Sequence, residues 1–517
     1  MTMTQWFIFF LVIQVIHFLG TWKLYVKAGR KAWEAIIPVY NAVVLMKIIN
    51  RPWWWTILLF IPIINLIMFP VIWVETIRSF GRNSTTDTWL VVLTLGFYIY
   101  YVNYGLDVTY INDRSLKPRS AAGEWISSIL FAVVAATLVH TYFMQPYVIP
   151  TSSLEKTLLV GDFLFVSKFH YGARTPMTTV AFPMVHDTIP VINTKSYLKK
   201  PQLPYFRLPG LQKIKRNDIV VFSWPADTVE QFFVKTNKRI RKPIDKKSNY
   251  VKRCVGIPGD SLSIKDGFVY INGKKTVLPD RAKPQFSYYV EAKGQLTPRY
   301  MYERYGVTGP FGQVKQGVYF FSAMTEEAAS KLEDNPNVVN VKRNIEAPNS
   351  SKLTSVYPQS GDFQWNQDQY GPIYIPEEGK TVDLNLEVLP LYKKIIVEYE
   401  GHTLDVRGDQ ILIDGQPTST YTFKQDYYWM MGDNRHASED SRYWGYVPAD
   451  HIVGKPVFIW FSYDSNASGP FWNKVRWDRV FTTVGGEGKP RSYLVYFLII
   501  LGIWYGYSTY RKRKKAS

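Results

Sequence analysis

Five separate apolar runs constrain this chain more than any other feature, because each asks for a non-aqueous environment or a buried helix. A hydrocarbon layer of roughly 30 Å takes about 20 mainly apolar residues in a helix. The runs at 6–22, 53–74, 89–106, 125–143 and 493–507 meet or approach that length, and aromatic residues mark many of their ends as interfacial belts do. The first run lacks the basic start and small-residue cleavage site of a removable signal sequence, so it is expected to be an uncleaved anchor.

Lysine and arginine beside such runs set orientation. Lys23, Lys27, Arg30, Lys31, Lys47 and Arg51 follow the first run, Arg114, Lys117 and Arg119 precede the fourth, and Arg511, Lys512, Arg513, Lys514 and Lys515 follow the last. The connector between the second and third runs has only Arg78 and Arg82. This pattern predicts an external amino terminus, a cytoplasmic carboxyl terminus, and an external region from about residue 144 to 490. Residues 32–50, broken by Pro38 and Asn41, are expected to lie in the interface. The net charge of +19 raises nucleic acid as a partner, but many of the basic residues sit beside apolar runs, so a bilayer and no nucleic acid is expected.

The external region reads as β-rich, with short β-branched or aromatic runs at 218–222, 268–271 and 394–399. Residues 259–264 with 268–273, and 402–406 with 410–415, have the pattern of hairpins. Between them, residues 274–391 are richer in Pro, Asn, Gln and Tyr, with one helical signal at 325–332 opened by Thr325, and read as an inserted subdomain. Cys254 is the one cysteine, so no intrachain disulfide forms and its thiol is expected in the core. The expected division is a three-span module at 1–123, a fourth span at 124–145, external parts at 146–273 and 392–490 around the insertion at 274–391, and a final span with basic tail at 491–517.

Four blocks carry candidate chemistry. The first runs from Gln145 through Pro150-Thr-Ser-Ser-Leu154 to Asp162, the second from Arg216 to Phe222, the third from Tyr250-Val-Lys-Arg253 to Asp260, and the fourth from Gly432 to Pro448. A serine after a proline is by itself more often a turn or cap than a nucleophile. His170, His186, His402 and His451 lack ligand spacing, and a single cysteine completes no common zinc site, so no metal and no cofactor are expected.

In this order, and after an apolar run, the four blocks resemble the boxes of bacterial type I signal peptidases, above all Gly-Asp-Asn-Arg at 432–435, Asp-Ser-Arg at 440–442 and Trp-Gly at 444–445. The resemblance spans about residues 146–453 around the insertion and leaves out the first three runs and the last. Together with the five apolar runs, it implies a multi-pass helical anchor in the cell (inner) membrane bearing a mainly β extracytoplasmic catalytic domain. The implied activity is removal of signal peptides from exported precursors, by cleavage after small residues (Ala-X-Ala-like) through an acyl-enzyme. Two alternatives stand beside it: a catalytically silent membrane scaffold, and a specialised peptidase with a narrow precursor set.

Carried over by position, Ser153 matches the nucleophile and Lys252 the general base, while Thr151 stands where the family usually has the serine that completes the oxyanion hole. Ser438 matches the serine that orients the lysine. Tyr147, Ile149, Pro150, Leu158 and Val251 are expected to line the substrate cleft. Arg253, Asp433, Arg435, Asp440 and Arg442 are expected to be structural, with Asp440 and Arg442 pairing with Arg253. A serine hydroxyl needs a neutral amine to take its proton, and burial is the obvious way to keep a lysine neutral. Departures from the family pattern are Leu154 for Met, Glu155-Lys156 for a residue-Pro pair, and His436-Ala437 for Asp-Asn. His436 offers a competing Ser/His/Asp triad with Asp433 or Asp440, and the Ser/Lys pair is preferred to it.

Overall fold

The computed structural model describes residues 2–118, 120–228, 240–350 and 355–516, so Arg119 of the charge pattern lies outside the described residues. The chain forms two compact units: Met1–Phe143 with Arg174–Leu208 and Ile240–Lys247, and Met144–Ala173 with Pro209–Arg239 and Ser248–Ser517.

In the first unit, Met3–Lys27 is one 25-residue helix, started by a capping box between Thr2 and Gln5. Its outer part leaves large apolar side chains such as Phe7 exposed, while Gly20, Thr21, Leu24 and Tyr25 are buried in the module. A side chain at Gly20 would stand 2.6 Å from the Tyr100 ring, so this glycine permits close helix contact. Among the described residues, two helices, Met3–Lys27 and Ala121–Phe143, are long and apolar enough to cross a membrane.

The second and third apolar runs are not single helices. The second breaks between Trp55–Leu58 and Ile64–Ser79, where Pro62 offers no N–H and Ile63 takes φ 70°. The third breaks between Thr85–Leu93 and Tyr98–Tyr104, where Gly96 takes φ 87° and its N–H closes the helix end on the Val91 carbonyl at 2.8 Å. Residues 32–50 contribute Val44, Met46 and Ile49 to the module's core and leave Trp33, Ile36 and Ile37 exposed. The carboxyl-terminal run is one helix, Leu494–Ala516, whose last turns carry the basic cluster.

The second unit is built on an eight-stranded antiparallel sheet. Its spatial order is Met144–Val148, Asp162–Ser167, Ile452–Ser462, Ile219–Ser223, Asn249–Gly256, Tyr427–Met431 and Val447–Pro448, with Thr482–Thr483 paired to Ile452–Ser462. Alternation along the strand puts Val220 and Phe222 in one apolar cluster with Cys254 and Met430, while Ile219 and Val221 join others. Both faces are therefore covered.

Residues 285–343 form a four-stranded sheet in the order Val338–Arg343, Gln285–Ala292, Val318–Thr325, Phe311–Lys315, closed by the helices Pro298–Tyr305 and Glu326–Glu333 over a core of Phe286, Tyr288, Val290, Phe321 and Leu332. Beyond it the chain rejoins its surroundings: Tyr370–Tyr374 pairs with Ser261–Lys265, and Ile375, Leu391 and Ile395 share a core with Trp429 and Tyr446. Residues 394–399, expected as a strand, are helical, the end of Leu389–Lys394 and the π turn Ile395–Tyr399. Leu391, Tyr392, Ile395 and Ile396 recur at helical spacing and are all buried, so packing selected the helix over the β preference of the isoleucines.

Candidate active site

Ser153 lies in the 3-10 turn Ser152–Leu154 and is buried, with Thr151 extended and exposed just before it. This turn packs against the strand Asn249–Gly256, which carries Lys252 opposite Val220. Lys252 is 4% exposed and its ammonium lies over the Tyr250 ring, 5.6 Å from the centroid. Burial lowers its pKa from 10.5 to about 8, against the opposing pull of Asp440 and Glu439. An amine so placed is neutral in a useful fraction of molecules near neutral pH.

Gly432 sets the spacing on the other side. A side chain there would collide with the Ser438 hydroxyl and the Ser153 carbonyl oxygen, so the absent Cβ lets the two segments close up. The Ser438 hydroxyl is buried and has no hydrogen-bond partner among the described residues.

Arg253 is held differently from expectation. Its guanidinium grips Asp433, Nε to Oδ1 at 2.8 Å and Nη2 to Oδ2 at 2.6 Å, with Nη1 donating to the Asn217 carbonyl. Asp440 pairs instead with Arg442, at 2.9 and 2.8 Å, and accepts the Gly432 N–H at 3.0 Å. Arg442 also donates to the carbonyls of Arg435 and Gln367, which ties the loop to itself and to the segment just before Tyr370–Tyr374. Arg435 is buried and donates to the Gly267 carbonyl at 3.2 Å. This pairing has a geometric cause: Arg253 stands opposite Met431, two residues before Asp433, whereas Asp440 is turned back to Gly432.

His436 does not approach Asp433 or Asp440 by any hydrogen bond; its Nδ1 accepts the Ser287 N–H at 3.0 Å and its Nε2 meets Asp368 at 2.8 Å. The Ser287 hydroxyl completes a Ser, His and Asp set at 2.6 Å, but it also takes a bond from Asn344 and is 2% exposed. A serine closed off in this way meets no peptide, so the set is a buried strut. Of the cleft candidates, Ile149, Leu158 and Val251 share one apolar cluster with Leu154; Val251 also joins Tyr147 in the next, and Pro150 is exposed. Cys254 is fully buried in the core, its thiol pushed up by burial.

Sequence reasoning missed Thr157, Asn434 and Gln285. Thr157 donates to Asp433 Oδ2 at 2.6 Å, so one carboxylate takes bonds from both the serine's segment and the lysine's strand. Asn434 donates its N–H to the Ser153 carbonyl at 3.0 Å. Gln285 had no signal of its own, since it belongs to none of the four blocks and lies 130 residues along the chain from Glu155, whose carbonyl it holds. Among the described residues, no group of three His, Cys, Asp or Glu side chains is arranged to hold a metal ion.

Residues 122–329 and 414–461 match the family "signal peptidase, peptidase S26", and residues 33–113 match a family of unknown function. The chain is 26% identical over 370 residues to signal peptidase I of Haemophilus influenzae, covering 71% of this chain and 78% of that protein. It is 24% identical over 366 residues to signal peptidase I of Buchnera aphidicola subsp. Schizaphis graminum, covering 68% and 80%. Over 227 residues it is 28% identical to signal peptidase I of Rickettsia felis, covering 41% and 71%. The family match takes in both Ser153 and Lys252 and, after an interruption at 330–413, the block at 432–448, and the chain belongs to the type I signal peptidases.

Proposed function

We propose that this membrane-anchored serine endopeptidase removes amino-terminal signal peptides from exported precursors with Ser153 as nucleophile and Lys252 as general base. The observation that carries the residue assignment is the buried Lys252, its amine lowered to about 8, on the strand against which the Ser153 turn packs. Lys252 Nζ takes the proton as Ser153 Oγ attacks the scissile carbonyl, and an acyl-enzyme forms on Ser153. The ammonium returns that proton to the leaving amine, and the neutral lysine then takes a proton from the attacking water. The Thr151 hydroxyl and the Ser153 N–H are the oxyanion donors, and the Ser438 hydroxyl orients the lysine.

Ile149, Leu158 and Val251, grouped with Leu154, suit shallow apolar subsites and hence small residues before the cut. Tyr147 and Pro150 complete the cleft wall. The charge pattern supports a multi-pass chain with the catalytic unit outside and the carboxyl terminus in the cytoplasm. A survey of exported precursors incubated with purified enzyme tests substrate range and cleavage site together. Broad processing after small residues is expected; cutting confined to one or two precursors points to the specialised peptidase, and no cutting of any to the silent scaffold.

A further inference from the structure

The turn that carries Ser153 is three residues of 3-10 helix, too short to hold its own geometry. Its backbone is held from outside. Asn434 takes the Ser152 carbonyl through its side chain at 3.3 Å and the Ser153 carbonyl through its N–H at 3.0 Å, and Gln285 takes the Glu155 carbonyl through Nε2 at 3.1 Å. The two holders are themselves paired: the Gln285 N–H donates to the Asp433 carbonyl and the Arg435 N–H to the Gln285 carbonyl, both at 2.8 Å. Gln285 is 1% exposed and is the first residue of an inner strand of the four-stranded sheet, followed by the buried Phe286. Just before it, Lys283 N–H and the Arg281 carbonyl bracket the Thr157 hydroxyl, each at 3.3 Å.

We propose that Gln285 is a positioning residue for the nucleophile, through which the four-stranded sheet of residues 285–343 sets the place of Ser153 relative to Lys252. The proposal rests on the Ser/Lys reading above. Gln285 touches no reacting atom; it fixes the peptide two residues beyond Ser153, while its own backbone fixes the segment that bonds Ser152 and Ser153. Misplacing a reacting group by about 1 Å costs on the order of 100-fold in rate.

The test uses the full chain in detergent with a signal-peptide precursor, comparing wild type, Gln285→Ala and Gln285→Glu. The glutamate keeps the shape but, when ionised, cannot donate to the Glu155 carbonyl. Expected is a fall in kcat of roughly 10- to 100-fold in both variants, with KM changed less than about twofold and the acid limb of the pH profile unmoved. If Gln285→Ala fails to fold, the isosteric Gln285→Glu decides alone. Unchanged kcat, or a loss accompanied by a shifted acid limb, overturns the proposal, the latter because the lysine rather than the serine would have moved. An inactive wild type removes the Ser/Lys reading with it, whereas an active wild type with unimpaired variants removes only this inference.

Discussion

Arg253 and Asp433 are joined by two parallel hydrogen bonds, 2.8 and 2.6 Å, with both side chains almost wholly buried. Arg253 is the neighbour of Lys252 on its strand, and Asp433 also takes the Thr157 hydroxyl at 2.6 Å, four residues beyond Ser153. One carboxylate thus cross-links the two segments that carry the proposed dyad. Burial raises the Asp433 pKa and Arg253 more than offsets it, so the carboxyl stays ionised.

Breaking this pair leaves a buried charge alone, which costs about 3–5 kcal/mol. Arg253→Met and Asp433→Leu are each expected to lower unfolding stability in detergent by that order and to reduce cleavage. The double variant, having no stranded charge, is expected to lose less stability than the sum of the two, as denaturant unfolding of all three would measure.

Cleavage should depend on pH through Lys252, because only the neutral amine accepts the serine proton. With the pKa lowered by burial to about 8, kcat/KM rises with pH and reaches half its plateau near that value. The stability effect has the same direction. Between about 8 and the usual 10.5 the unfolded chain holds a proton that the folded chain has lost, so stability increases with pH across that window. Below it, the fold carries a buried ammonium at a cost on the order of 3 kcal/mol. Lys252→Met is therefore expected to be inactive yet more stable than wild type at pH 7, by thermal unfolding.

Lys156 takes φ 71° two residues after the nucleophile turn, where the family resemblance has proline. Proline is locked near −65°, so Lys156→Pro is expected to disrupt the turn and lower both stability and kcat, although it restores the family's residue. Lys156→Gly, which accepts the left-handed backbone, is expected to keep most activity in the same assay.

His436 is tied to Ser287 and Asp368 and to neither proposed catalytic group by hydrogen bond. His436→Ala is expected to lower the melting temperature while retaining cleavage in the folded fraction. Loss of cleavage in His436→Ala with retention in Lys252→Ala would favour a histidine mechanism.

The sequence marks the blocks around the proposed site more plainly than it marks the ends of the amino-terminal helices. Short blocks such as residues 250–253 and 432–435 are legible because each bears chemistry at fixed spacing on a strand or its end. The hairpin partners Leu262 and Ile271 were legible for the same local reason. Ile63 and Gly96 break apolar runs that composition alone joins, since a single backbone angle ends a helix without changing hydropathy. Residues 394–399 went to helix because their neighbours at 391 and 392 share the buried face. The Arg253 partner and Gln285 were illegible because they depend on which distant segment the fold brings alongside.

The first measurement to make is cleavage of a signal-peptide precursor by the purified chain in detergent, for wild type, Ser153→Ala and Lys252→Ala. Wild type cutting after a small residue, with both variants folded and at least about 1,000-fold slower, is the predicted result. Undiminished cutting by either folded variant would contradict the Ser153/Lys252 mechanism.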